Sequence, residues 1–169
     1  MSSWCHCYRA MTTNHAIEIK CATEGDAEGI SRIVIRALRE TNAKDYPPEV
    51  ISALVSNFSP ERVACLIANR QVYVAIAHGM IIGTASLQGS VVRTVFVDPD
   101  HQGKGMGARL MDVVESLARA RSITRLSLRS SITAHGFYKK LGYVPIREEL
   151  HGRERTIIME KHLAQYQVA

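Results

Sequence analysis

Two stretches of this chain carry residue types whose spacing could do chemistry. The first is Gln102-Gly103-Lys104-Gly105-Met106-Gly107-Ala108, where alternating glycines open a helical apolar pattern at Met106, Leu110, Val113, Val114 and Leu117. Inside the first turn of a helix each glycine costs about 1 kcal/mol relative to alanine, so the run points to a purpose other than helix stability. A glycine-rich loop at a helix N-terminus presents unpaired N–H groups and the positive end of the helix dipole, which together attract an anion. The second stretch is Ala134-His135-Gly136-Phe137-Tyr138, with Gly142-Tyr143 just beyond. A phenol keeps its proton at neutral pH, so Tyr138 is either a proton donor or an aromatic that packs beside Phe137.

The loop fits neither of two common phosphate motifs. The Lys-Ser/Thr pair that closes a P-loop is absent. Gly103-x-Gly105-x-x-Ala108 mimics a dinucleotide fingerprint, but that motif follows its strand directly, and here Asp98 to Gln102 intervene. The preceding run, Val91 to Val97, is apolar and β-branched and reads as a strand buried on both faces or nearly so, ended by Asp98-Pro99-Asp100.

Gln102-x-x-Gly105-x-Gly107 after Val97-Asp98-Pro99 resembles the pyrophosphate-binding motif of the GNAT superfamily, the acyl-CoA-dependent N-acetyltransferases. Ala134-x-x-Phe137-Tyr138-x-x-x-Gly142-Tyr143 is similar to a second segment of that superfamily, in the right order. Ser131-Ile132-Thr133-Ala134, with Ile35-Arg36-Ala37, Tyr46 and Ile51-Ser52-Ala53, resembles its YafP-like bacterial branch. The resemblance implies an α/β fold with a central mixed, mainly antiparallel, six- to seven-stranded splayed sheet and helices on both faces. It implies acetyl-CoA as co-substrate, its diphosphate held by Gln102, Gly103, Lys104, Gly105, Met106, Gly107 and Ala108, with Lys104 or Arg109 adding charge at the rim. Val95, Phe96 and Val97 would line the pantetheine arm, and Tyr138 would protonate the leaving thiol. Where many relatives carry an asparagine on that arm, this chain has Ser131, a shorter group for the same contact.

The acceptor would be a small-molecule or peptide amine, which must lose a proton before it attacks. Many relatives use a glutamate on the fourth or fifth strand, but here those strands hold no carboxylate. A water chain, Asp45 or His135 stays open for that task, as does an acceptor of low basicity. Arg93, sharing a strand face with Val91, Val95 and Val97, is either an exposed strand end or the holder of a substrate carboxylate or phosphate. Tyr46, beside Pro47-Pro48, either walls the acceptor pocket or packs a helix junction. The alternative from another class is a catalytically silent acyl-CoA-binding sensor.

The elements that must position these residues follow from periodicity: one strand, helices, a three-strand meander, a long helix, a strand, a short helix over Ile132 to Leu141, and a final hairpin. Residues 1–14 show no periodicity and read as a disordered extension, and 15–169 read as one domain. The chain has 169 residues and a net charge of +5 with no basic run, which argues against nucleic acid and suits a basic rim around a polyphosphate. Neither a membrane-length apolar run nor a signal-peptide core is present, so the expectation is a cytoplasmic protein away from membranes, as a monomer or homodimer. Cys5-His6-Cys7 is spaced too tightly for a zinc site, so no metal is expected. Cys21 and Cys65 read as small buried hydrophobes, with disulfides not expected.

Overall fold

Ile30, Ile33, Val34, Ala37 and Leu38 recur at three- and four-residue spacing and form the buried face of helix α1 (Ala27–Glu40). The computed structural model describes residues 17–164, so the extension expected over 1–14 lies outside the described residues. The remaining elements are β1 (Glu18–Cys21), α2 (Pro48–Val55), α3 (Pro60–Asn69), β2 (Gln71–Ala77), β3 (Met80–Gln88), β4 (Val91–Val97), α4 (Met106–Ala120), β5 (Arg125–Ser131), α5 (His135–Lys140), β6 (Val144–His151) and β7 (Glu154–His162). Proline opens α2 and α3, where a missing N–H costs nothing, and Ser59 accepts the Arg62 N–H at 3.4 Å to cap α3.

The strands form one seven-stranded sheet in the order β1-β2-β3-β4-β5-β7-β6. Every neighbouring pair is antiparallel except β4–β5. Helices α1 and α3 pack on one face through Ile30, Ile33, Val34 and Val63, while Leu110, Met111 and Val114 of α4 cover the other. The mixed, mainly antiparallel sheet implied by the resemblance is what the chain forms. No single helix among the described residues is long and apolar enough to cross a membrane.

Strand β4 departs from expectation in two ways. It was read as buried on both faces, yet only Val92 is buried, Arg93 is exposed and the rest are half-buried. The cause is the pairing: β4 meets β5 only at Val91↔Ser127 and Val92↔Leu128 and then parts from it, while β5 stays paired with β7 from Arg125 to Ser131. The second departure is a β-bulge. Ser86 of β3 stands opposite Arg93 and Thr84 opposite Phe96, so three steps on β4 match two on β3. Thr94 takes up the extra residue at φ 51°. The alternation therefore slips, and Arg93 does not share a face with Val95 and Val97. Phe96 joins the α1/α3 side, whereas Val95 and Val97 pack toward α4. The Ser86 hydroxyl donates to the Arg93 carbonyl at 2.7 Å, satisfying a group that the irregular ladder leaves over.

Three smaller expectations also change. Cys65 lies exposed on the solvent side of α3 rather than in the core. Cys21 is half-buried and disulfide-bonded, against the expectation of reduced cysteines. Helix α5 covers only His135–Lys140, because the residues before it form a turn held by side-chain hydroxyls, and Gly142 at φ 89° ends it as expected.

Candidate active site

A cavity of about 860 Å³ opens where β4 and β5 separate, bounded by the N-terminus of α4, the α1–α2 connection and α5. The glycines at its α4 side are required for two different reasons. Gly103 and Gly105 sit at φ 72° and 79°, a left-handed region costing other residues about 1–2 kcal/mol, and a Cβ at either would meet nothing within 4 Å. Gly107 instead lets α4 approach α5, since a Cβ there would lie 2.9 Å from the Phe137 ring. No backbone amide from Gly103 to Ala108 donates to another group among the described residues. Five free amides border the cavity at Gly103, Gly105, Met106, Gly107 and Ala108.

The side chains of this loop serve to anchor it. Gln102 donates through Nε2 to the Val97 carbonyl at 3.0 Å and accepts the Thr41 hydroxyl at 3.3 Å. Lys104 donates to the Asp100 carbonyl at 3.0 Å and does not line the cavity, and Arg109 reaches back to the Ile17 carbonyl at 3.5 Å. Buried Asp98 caps the turn at Pro99–His101 by accepting the Asp100 N–H at 3.0 Å, and pairs with Arg36 of α1 at 2.8 Å. Sequence reasoning named Arg36 only within the resemblance and missed its pairing with Asp98, because the two are 62 residues apart.

Tyr138 is buried, lines the cavity, and packs edge-on against Phe137 and Tyr143 at centroid distances of 5.0 and 5.9 Å. Its hydroxyl has no partner among the described residues, and burial raises its pKa well above the ordinary tyrosine value. The turn that leads into α5 is fixed by two hydroxyls. Ser131 Oγ accepts the Ala134 N–H at 3.1 Å, keeping its own proton available to donate. Tyr46 accepts the Ile132 N–H at 2.8 Å and donates to the Arg155 carbonyl at 2.6 Å, so it both walls the cavity and ties the turn to β7.

Neither side chain considered for taking up the amine proton lines the cavity. Asp45 is exposed and accepts the Thr133 hydroxyl at 2.8 Å. His135 is partly covered, and its buried Nε2 has no hydrogen-bond partner among the described residues. The carboxylate that does line the cavity is Glu154, half-buried and without a hydrogen-bonding or ionic partner among the described residues. It lies two residues before Thr156, which stands opposite Ser131. The hairpin itself was legible, but which of its strands pairs with β5 was not, so nothing local marked Glu154.

Arg93 lines the cavity together with Arg70 from the end of α3. Arg70 Nη1 donates to the hydroxyl of the bulge residue Thr94 at 3.3 Å. Burial, and then the charge of Arg93, lowers the pKa of Arg70. Among the described residues, no group of three or more His, Cys, Asp or Glu could hold a metal ion, and Cys5-His6-Cys7 lies outside them.

The parallel β4–β5 pair thus opens over the N-terminus of α4, whose first amides have no partner among the described residues. The pattern of the acetyltransferase (GNAT) domain matches residues 42–161, and the chain belongs to that family. It is 28% identical over 133 residues to the uncharacterized N-acetyltransferase YafP of Escherichia coli K12, covering 79% of this chain and 85% of that protein. A crystal structure of a GCN5-related N-acetyltransferase from Rhodopseudomonas palustris matches with a TM-score of 0.83 at 25% identity, over 92% of this chain and 99% of that one. The PaiA N-acetyltransferase of Thermoplasma acidophilum, solved in complex with coenzyme A, shares the fold with a TM-score of 0.75 at 21% identity, over 88% and 99% of the two chains.

Proposed function

We propose that this protein transfers an acetyl group from acetyl-CoA to a primary amine, with Tyr138 as the general acid. The observation that carries the reading is that Tyr138, whose hydroxyl has no partner among the described residues, lines the same cavity as a row of free amides. The residues present fit the co-substrate. The amides from Gly103 to Ala108 and the dipole of α4 would hold a diphosphate. The backbone edge of Val95, Phe96 and Val97, left without a strand neighbour on the β5 side, would bond an amide-bearing arm, and the Ser131 hydroxyl keeps a proton to donate to it. Bound acetyl-CoA supplies an activated thioester. The neutral amine would attack the thioester carbonyl directly, and the C–S bond would break. Tyr138, kept protonated by burial, would give its proton to the departing sulfur, and the proton shed by the amine nitrogen would return to the phenol through water. Cys65 is exposed and does not line the cavity, so it is not placed to act as a nucleophile.

Thiol release measured over a panel of amines tests this. Tyr138→Phe should lower kcat by about 10²-fold or more while coenzyme A affinity, read by calorimetry, changes little. An unchanged kcat would place the acid elsewhere. Coenzyme A binding with no thiol release for any amine would mark a binding module instead.

A further inference from the structure

The cavity carries three arginines, and they are not alike. Arg129 is paired with Glu149 at 2.8 Å, its charge answered within the fold. Arg70 and Arg93 have no carboxylate partner among the described residues, and each is the other's charged neighbour. Two guanidinium groups held together without an acid repel one another, a cost that a bound anion reverses through charge-assisted hydrogen bonds. The backbone is strained to build this arrangement. Thr94, a β-branched residue at φ 51°, turns Arg93 to the face opposite Val95 and Val97, and its hydroxyl accepts from Arg70 at 3.3 Å.

The opposite charge stands at the other end of the same cavity. Glu154 is the carboxylate in its lining and has no hydrogen-bonding or ionic partner among the described residues. Arg93 follows Val92, the last β4 residue paired with β5, whereas Glu154 lies beyond the Ser131↔Thr156 pair at the far end of β5. Along the strands that is about four residues, on the order of 13 Å, and β4 and β7 also stand two strand spacings apart. Their main chains are thus on the order of 16 Å apart before the long arginine and glutamate side chains shorten the gap.

Resting on the acetyltransferase reading, the geometry points to an acceptor that is a small amine bearing its own carboxylate or phosphate. Arg70 and Arg93 hold the anion, and Glu154 faces the ammonium. The coenzyme's diphosphate does not account for the arginine pair, because the free amides at α4 serve it from another wall and the bulge turns Arg93 away from the α4 side.

The test separates this site from the transferase reading by using free coenzyme A, with which no turnover occurs. Calorimetry of the coenzyme-loaded protein would compare glycine, β-alanine, 4-aminobutyrate and 2-aminoethyl phosphate with alkylamines of matching length. At least one anionic amine should bind tenfold or more tightly than its alkylamine, and the carboxylate and phosphate arms identify the headgroup. Arg70→Met with Arg93→Met should abolish that preference while coenzyme A and alkylamine binding persist. Arg93→Met alone, at an exposed position, serves if the double variant melts early. Alkylamines binding as well as anionic amines, no binding by any anionic amine, or a preference that survives loss of both arginines would overturn the proposal. Thiol release reads the other question: a retained binding preference without release refutes the transferase and leaves the site standing. Release that favours alkylamines does the reverse.

Discussion

Gly107 and Gly103 show how residues of one type in one loop answer to different forces. An added methyl at Gly107 would lie 2.9 Å from the Phe137 ring, which packs edge-on against Tyr138. Gly107→Ala should therefore destabilise the protein by about 1–3 kcal/mol in thermal melts and lower kcat by displacing the phenol. Gly103→Ala has open space around it but sits at φ 72°, so it strains only the loop. Its expected effect is weaker coenzyme A binding, read by calorimetry, with kcat at saturation little altered. The same scale explains what the sequence showed and hid. Glycines and Tyr138 were legible because their chemistry is local. Thr94 was not, since a threonine in a β-branched run looks like any strand residue. Its left-handed backbone comes from the mismatch with β3, and so the face assigned to Arg93 was wrong.

At the scale of elements, α4, β7 and the end of α5 meet at one buried charge. Glu115 accepts from Lys161 of β7 at 2.8 and 2.9 Å, from Arg119 at 3.3 Å, and from the Tyr143 hydroxyl at 3.2 Å. Tyr143 in turn packs edge-on to Tyr138, so this cluster sets the α5 turn from below. Glu115→Ala would leave Lys161 and Arg119 without their shared anion, and urea unfolding should show a loss of roughly 3 kcal/mol. Replacing Glu115 by leucine and Lys161 by methionine together should recover most of it. None of this was visible in the chain order, because the partners are 28 and 46 residues from Glu115. Glu154 was hidden for the same reason: β5 pairs with β7, and only that non-local register brings its carboxylate beside the cavity.

For the whole molecule, the order of elements along the chain and the mixed, mainly antiparallel sheet were legible from apolar periodicity and from a family resemblance spanning most of the chain. The splay was legible from the resemblance alone, whereas the seating of β7 between β5 and β6 was not legible. What periodicity does not report is the collective effect of burial. Tyr46, Tyr138 and Tyr143 all have raised pKa values, with burial the largest cause in each. In the unfolded chain such phenols ionise near pH 10, while the folded protein keeps them protonated. Their contribution to stability is thus complete below about pH 10 and is lost as pH rises toward the folded values. Urea midpoints should stay level on this account up to about pH 9.5 and then fall, with tyrosinate absorbance appearing late in the folded protein. Full tyrosine ionisation near pH 10 without unfolding would contradict it.

A sheet that parts along its middle carries two more rims than its strand count suggests. The β4 side of the opening from Thr94 to Val97 meets no strand on β5, and Gln102 caps only the Val97 carbonyl there. Rims of this kind invite stray peptide to add itself as an extra rung. Empty protein should thus be the form prone to aggregate in storage, and a molecule lying in the opening would double as its shield.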